Sequence, residues 1–327
     1  MTGHDVCCIL RAPRPSPICD LPVPTDSWKS DASLLLVVLI WGANFPILKV
    51  ALEAMPIHVL NVFRFIVSAG VLGSMYLWSR RGQDMATFFA PFKRHARRLI
   101  VLALIGYVFY QVCFVVGVNN TTAGSAALIM TSAPMWTAVV GQIAGTEYLG
   151  RFAWIGLAVS MLGTAFVVAA GSETVAVGAG SLFGNAVILL GAILWGAYTA
   201  LNKPVVSDIS PVAATFFGIM IALPVLAGIG APYASGVAWG EVDLWVWLAI
   251  IFSGGLSTGI AFVIWNTAVR NVGASNTAIY NNLVPLVALA GGVLFLDETV
   301  NAWQIAGGVL IIAGLVLVRR YRLREAA

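Results

Sequence analysis

Charge is scarce in this chain. Asp, Glu, Lys and Arg make up 10% of its 327 residues, against 60% hydrophobic ones, whereas a soluble domain carries about a quarter of its residues charged. That excludes a soluble fold and leaves an integral membrane protein. Histidine is nearly missing too: His4, His58 and His95 are scattered over a tail, a helix start and a loop. No His, Cys, Asp or Glu cluster has metal-ligand spacing, so no metal is expected. No glycine-rich run ends in Gly-Lys-Ser or Gly-Lys-Thr, so the chain carries no phosphate-cradling loop of its own. No cofactor is expected, and ATP is not the expected energy source. An intramembrane hydrolase needs a nucleophile with a base inside the bilayer, yet no His, Asp or Glu lies midway along any apolar segment. The chain therefore does not read as an enzyme. Three of its four cysteines, Cys7, Cys8 and Cys19, fall near the N-terminus and Cys113 in an apolar run, which builds no disulfide framework.

What is abundant is apolar sequence in long runs. A bilayer span needs roughly 20 such residues, and ten segments qualify, approximately 33–53, 57–79, 99–118, 121–144, 152–170, 181–201, 211–231, 244–266, 274–296 and 302–318. The second half repeats the first. Slid along itself by 151 positions, the sequence brings Pro134 onto Pro285, Glu147 onto Glu298, Gly156 onto Gly307 and Gly163 onto Gly314. Nearer the start of each half the offset is 154, and Trp41, Gly42, Ala43 and Lys49 meet Trp195, Gly196, Ala197 and Lys203. Five spans per repeat is an odd number, so the second copy enters the membrane from the opposite side. The expected fold is an all-α integral membrane protein of ten transmembrane helices in two inverted five-helix repeats, at residues 31–170 and 178–320. A disordered tail, 1–30, rich in Pro13, Pro15, Pro17, Pro22 and Pro24, precedes them, and a short tail, 321–327, follows.

Lys and Arg are retained on the cytoplasmic side of a membrane. With the N-terminus inside, the inner segments carry Arg11, Arg14, Lys29, Arg80, Arg81, Lys93, Arg94, Arg97, Arg98, Arg151, Lys203, Arg270, Arg319, Arg320, Arg322 and Arg324. Only Lys49 and Arg64 fall elsewhere, and the outer loops hold Glu173, Glu241, Asp243, Asp297 and Glu298. Both termini are expected in the cytoplasm of a cell whose inner membrane holds the protein. The net charge of +4 is then a topology signal, and nucleic acid is not an expected partner. Proton-driven carriers commonly use a carboxylate buried in the membrane. Here Glu53, Glu147, Asp297 and Glu298 all lie at span ends, and the repeat-related Glu147 and Glu298 read first as caps for a helix N-terminus or a neighbouring first turn.

Arg64 is the one basic residue embedded in a span. It lies roughly 10 Å below the outer boundary at 1.5 Å per residue, where a guanidinium costs a few kcal/mol unless paired or hydrated. With Asn61 and Ser68 it forms a polar stripe that points at protein or water. It can anchor a substrate carboxylate or phosphate by bidentate bonding, or snorkel outward and bond neighbouring carbonyls. Tyr107, Tyr110, Gln111 and Phe114 run along one side of the third span, and the matching positions of the eighth are Thr258, Ala261, Phe262 and Trp265. Trp195, Tyr198, Thr199 and Asn202 share a face of the sixth, and Trp41, Asn44 and Phe45 lie on the first. Polar neighbours in hydrocarbon need partners, so these faces read as the walls of a wet, partly apolar pocket. In the ninth span Asn276 and then Tyr280, Asn281 and Asn282 precede Pro285; three consecutive polar residues cover about 300° of a helix, which makes this helix central. Pro285 and Pro134 free carbonyls near Asn281 and Met130 and are expected kinks. Gly156 with Gly163, and Gly307 with Gly314, read as close helix packing.

These residues resemble a known group. Ten spans in two repeats, Trp41-Gly42-Ala43-Asn44, the Arg64-Phe65 pair, and in each half a Pro followed by Glu and a Gly-rich last span are similar to the EamA group of the drug/metabolite transporter superfamily, over about residues 33–318. The resemblance implies a secondary carrier, most often an exporter of amino acids or related metabolites, with alternating access at a cavity between the repeats. It implies a substrate-binding pocket near Trp41, Asn44, Arg64, Tyr107, Gln111, Trp195, Tyr198, Trp265, Tyr280, Asn281 and Asn282. The first-helix glutamate of the smaller four-helix drug exporters is missing, since Asn44 and Phe45 stand in that region. A multidrug or cationic-compound exporter is the alternative, and a non-transporting membrane sensor a further one. The expected partners are a small-molecule substrate and the lipid bilayer, with the chain a monomer or weak homodimer.

Overall fold

The computed structural model describes residues 27–120, 129–147, 149–171, 179–287, 290 and 302–325. The described residues are helical with no strand, and each of the ten expected spans holds a helical run. We number these α1 Ser27–Ala54, α2 Ile57–Ser79, α3 85–120, α4 Ala133–Ile143, α5 Arg151–Gly171, α6 Ala179–Asp208, α7 Pro211–Gly230, α8 244–272, α9 274–287 and α10 Ala302–Glu325. Five stretches among them, Ile57–Ser79, Met85–Gly117, Leu182–Asp208, Pro211–Gly236 and Leu244–Val272, are long and apolar enough to cross a membrane. Leu35, Leu39, Ile143, Leu162 and Ile305 are exposed on the outer surfaces of the bundle, as expected where lipid is the solvent.

Local chemistry sets the starts. Pro56 precedes α2 and Pro211 opens α7 behind Ser210, whose hydroxyl accepts from the Ala213 amide at 3.2 Å. Asp243 caps α8 by accepting from Trp245 N at 2.9 Å. Asp84 caps α3 by accepting from Thr87 N at 3.1 Å, and the Thr87 side chain and amide hold its carboxyl below the usual range. Two differences from the sequence expectation stand out. The third helix starts at Met85, 14 residues before the apolar run at 99, because the added segment is amphipathic and carries Lys93, Arg94, Arg97 and Arg98. The first starts at Ser27, inside the stretch expected to be tail. The rest of that tail, together with Glu173, Asp297, Glu298 and the side chains of Phe45, Lys49, Glu53 and Arg319 to Arg324, lies outside the described residues.

The packing exchanges when the halves are swapped. α2 lies on α7 and α5 on α10, while α3 and α4 pack on α6 just as α8 and α9 pack on α1. Glycines permit the closest crossings. A Cβ on Gly163 would stand 2.6 Å from the Gly307 carbonyl, and one on Gly314 would stand 2.5 Å from the Gly156 carbonyl, so the α5–α10 seam is backbone against backbone. Gly42 abuts Val287 of α9 and Gly196 abuts Trp136 of α4, a repeat-related pair of contacts.

A carboxylate ties the halves together at the end opposite Arg64. Glu147, nearly buried, accepts from the amides of Ala274 and Ser275 at the start of α9 and from Lys203 Nζ at 3.1 Å. The helix N-terminus expected to hold Glu147 is thus that of α9, and Arg151 instead lies over the Phe152 ring.

Candidate functional site

At the centre of the bundle, α1, α3, α6 and α8 each contribute aromatic rings to one box. Trp41 stands 5.8 Å from Trp195, 5.0 Å from Trp265 and 5.9 Å from Phe262, centroid to centroid. Trp195 reaches Tyr198 at 5.5 Å and Tyr110 at 5.1 Å, and Tyr107 bridges Tyr198 and Phe262 at 5.2 and 5.5 Å. These separations lie within the range of favourable edge and tilted ring pairs. All of the box except Trp41 and Tyr110 is fully buried, so it is packed shut in this conformation.

Two irregular helical segments frame it. Leu104–Phe109 in α3 and Phe252–Ile260 in α8 are π-helical, and slid by 151 positions 104–109 falls on 255–260. Such bulges recur at functional sites because the extra residue re-aims the side chains around it. The first carries Tyr107. The second carries Ser257, whose carbonyl accepts from Trp41 Nε1 at 3.1 Å, and Thr258.

Below the rings is a buried polar tier. The hydroxyls of Tyr107 and Tyr198 meet at 2.7 Å, Asn266 Nδ2 donates to Tyr198 Oη at 3.0 Å and to Thr215 Oγ1 at 2.9 Å, and Asn202 Nδ2 donates to Asn266 Oδ1 at 2.9 Å. Four helices are stitched by these bonds.

On the opposite side stands Arg64, only 6% exposed. Its Nη1 donates to Asn61 Oδ1 at 2.8 Å and its Nη2 to Thr258 Oγ1 at 3.0 Å, while Ser68 donates to the carbonyls of Arg64 and Gly254. The side chain stays inside the protein and does not snorkel. No carboxylate among the described residues pairs with it. Its Nε is buried without a hydrogen-bond partner among the described residues, as are Trp265 Nε1, Thr199 Oγ1 and Asn44 Oδ1.

Of the predicted site residues, Trp41, Tyr107, Trp195, Tyr198 and Trp265 are gathered in the box, Arg64 lies against its α8 wall, and Gln111 is buried one turn along α3 from Tyr107. The α9 residues make other contacts. Tyr280 Oη donates to Asp31 Oδ1 at 2.7 Å and Asn282 Nδ2 to Ser160 Oγ at 3.0 Å, which tie α9 to α1 and α5, and Asn281 is half-buried. The helix breaks at Thr131 and Ser132 just before Pro134 and tightens to a 3₁₀ turn over Ile279–Leu283 just before Pro285. Asn266 and Thr215 were not singled out from sequence; an asparagine beside Trp265 in an apolar span was the available signal. An apolar cleft lined by Ile47, Trp245, Leu248, Ala249 and Phe252 contains none of the predicted residues.

The comparison with known proteins agrees with this layout. The family model described as "EamA-like transporter family" matches residues 28–169 and again 182–320. A probable amino-acid metabolite efflux pump of Salmonella typhimurium is 27% identical over 309 residues, covering 90% of this chain and 96% of that protein. A probable terminal-alkyne amino-acid exporter of Streptantibioticus cattleyicolor is 26% identical, with 90% and 96% covered. One solved crystal structure superimposes with a TM-score of 0.75 at 16% identity over 89% of this chain and 98% of that one, a likeness of fold.

Proposed function

Because the chain belongs to the EamA-like transporter family, we propose that it is an exporter of small carboxylate-bearing metabolites of the amino-acid kind. It works by alternating access between two inverted halves, in a cell membrane with both termini in the cytoplasm. The observation that carries this reading is Arg64. A buried guanidinium with no carboxylate partner and an unbonded Nε–H among the described residues, and an aromatic box beside it, suits an anion with an apolar or zwitterionic body. Trp265 Nε1, also a pure donor without a partner among the described residues, suits the same acceptor. The relatives named as exporters of amino acids and their metabolites support the direction and the substrate class. The shut box fits an occluded or resting state, which an alternating-access cycle requires.

The test is uptake of labelled amino acids, organic acids and cationic dyes into proteoliposomes, with and without a proton gradient. Arg64→Gln removes a charge-assisted bond of ~1.5–3 kcal/mol, so carboxylate transport is expected to fall by roughly 10- to 100-fold while Arg64→Lys retains part of it. Dye transport untouched by Arg64→Gln, with no saturable carboxylate flux, overturns the reading in favour of a drug or cation exporter.

A further inference from the structure

The corner where α2 ends and α3 begins carries a concentration of charge that the transport site does not use. Between residues 80 and 98 stand six cations, Arg80, Arg81, Lys93, Arg94, Arg97 and Arg98, against one acid, Asp84, whose carboxylate is committed to capping α3. Lys93, Arg94, Arg97 and Arg98 are all exposed, and at 100° per residue they fall within an arc of about 140° on one face of α3. Arg94 alone of these four pairs with a carboxylate among the described residues, Asp208 at 3.4 Å, and that partner is shared with His95 at 2.8 Å. The other side of the same helix is fixed: Phe88 and Phe92 pack on the rings of Tyr76, Phe216 and Phe217 of α2 and α7, so the basic face cannot turn inward.

Met85, Phe89 and Ile100 border this face on α3 at 100° per residue, and Trp78 is a further exposed apolar group near the end of α2. Trp78 is 68% exposed with the Arg81 guanidinium 3.7 Å over its ring, and Met85 is 69% exposed with Phe89 and Ile100 also open. Retention of cations on one side of a membrane accounts for their presence in this loop. Contact with the bilayer accounts for the exposed apolar groups, but neither requires four cations on one helix face directly alongside an apolar strip. An acidic protein segment or a free anion would use the charge and leave the apolar strip idle. A molecule with an anionic head and an apolar tail uses both.

We propose that this corner is a binding surface for anionic phospholipid, with headgroup phosphates on Lys93, Arg94, Arg97 and Arg98 and acyl chains along Trp78, Met85, Phe89 and Ile100. Arg80 and Arg81 extend the headgroup site toward α2. The same contacts fix the depth of α3 in the bilayer, since cations near the surface and aromatic rings at the interface each select a level.

The test uses the full-length protein in detergent micelles doped with phosphatidylglycerol or phosphatidylcholine, with retained lipid counted by native mass spectrometry. Wild type is expected to retain phosphatidylglycerol in preference to phosphatidylcholine. The preference should fall by roughly fivefold for each cation lost through Lys93→Gln, Arg94→Gln, Arg97→Gln and Arg98→Gln. The four changes made instead to Lys or Arg, keeping the charge, should preserve it, and so should Arg151→Gln with Arg270→Gln, which remove exposed cations elsewhere. Equal retention of the two lipids by wild type overturns the proposal. So does an equal loss on removing Arg151 and Arg270, or displacement of phosphatidylglycerol by orthophosphate that leaves the protein equally stable to heat. Unchanged thermal unfolding of the variants in micelles without phosphatidylglycerol separates loss of lipid from loss of fold.

Discussion

Single side chains in this molecule are consequential because they are buried and bonded across helices. Tyr198 Oη meets Tyr107, Asn266 and Asn202 at once. Tyr198→Phe is expected to leave those groups short of partners and cost about 1–3 kcal/mol, read as a lower midpoint of thermal unfolding in detergent, whereas Ser74→Ala on the exposed face of α2 should change nothing measurable. Glu147 and Lys203 form a second such unit. Lys203→Met leaves a nearly buried carboxylate against two amides without its cation, and should destabilise by about 1–3 kcal/mol. The double change with Glu147→Gln should recover part of that loss, since the coupling of neighbours in one network is non-additive. Arg64, Trp41, Tyr107, Trp195, Tyr198 and Trp265 could be picked out of the sequence because a charge, or a ring with a polar neighbour, is conspicuous in an apolar span. Which groups they would bond across helices could not. Nothing in the spacing says that Thr258 receives Arg64 or that Ser257 lends its carbonyl to Trp41, because those bonds span about 200 positions and are set by packing.

Helices were legible in extent where apolarity alone defined them, as in α2, whose observed bounds equal the expected 57–79. Legibility failed where charge and apolarity mix. The first turns of α3 were missed because Lys93, Arg94, Arg97 and Arg98 break the apolar run while Pro91, His95 and Leu99 still bury the other face. The π segments were also invisible, since an inserted residue is stabilised by the neighbours it meets and not by its own side chain. The glycine spacing on α5 and α10, by contrast, announced a close crossing, and it is found. Gly163→Ala drives a methyl into the Gly307 carbonyl and the Ile311 amide, and should cost about 1–3 kcal/mol in thermal unfolding. Gly70→Ala, on an open helical face with nothing within 4 Å, should be neutral or stabilise by about 0.5–1 kcal/mol.

For the whole molecule, the repeat is the fact from which most else follows. It predicts that the loop after α2 and the loop before α8 face opposite sides. With the native cysteines removed, Gln83→Cys and Ser235→Cys should be labelled by an impermeant maleimide from opposite sides of the membrane in sealed vesicles; labelling from one side would contradict the topology. The repeat also duplicates the irregular segments, one in each half, and this bears on how such a carrier could change over generations. A π segment is in effect one residue too many. Deleting a single residue between Leu104 and Phe109 would restore the ordinary register and swing Tyr107 by about 100° out of the box, leaving both flanking helices intact. Shifts of solute preference among descendants of this chain are therefore expected to arise by one-residue insertions and deletions in these two places sooner than by substitutions in the rings themselves.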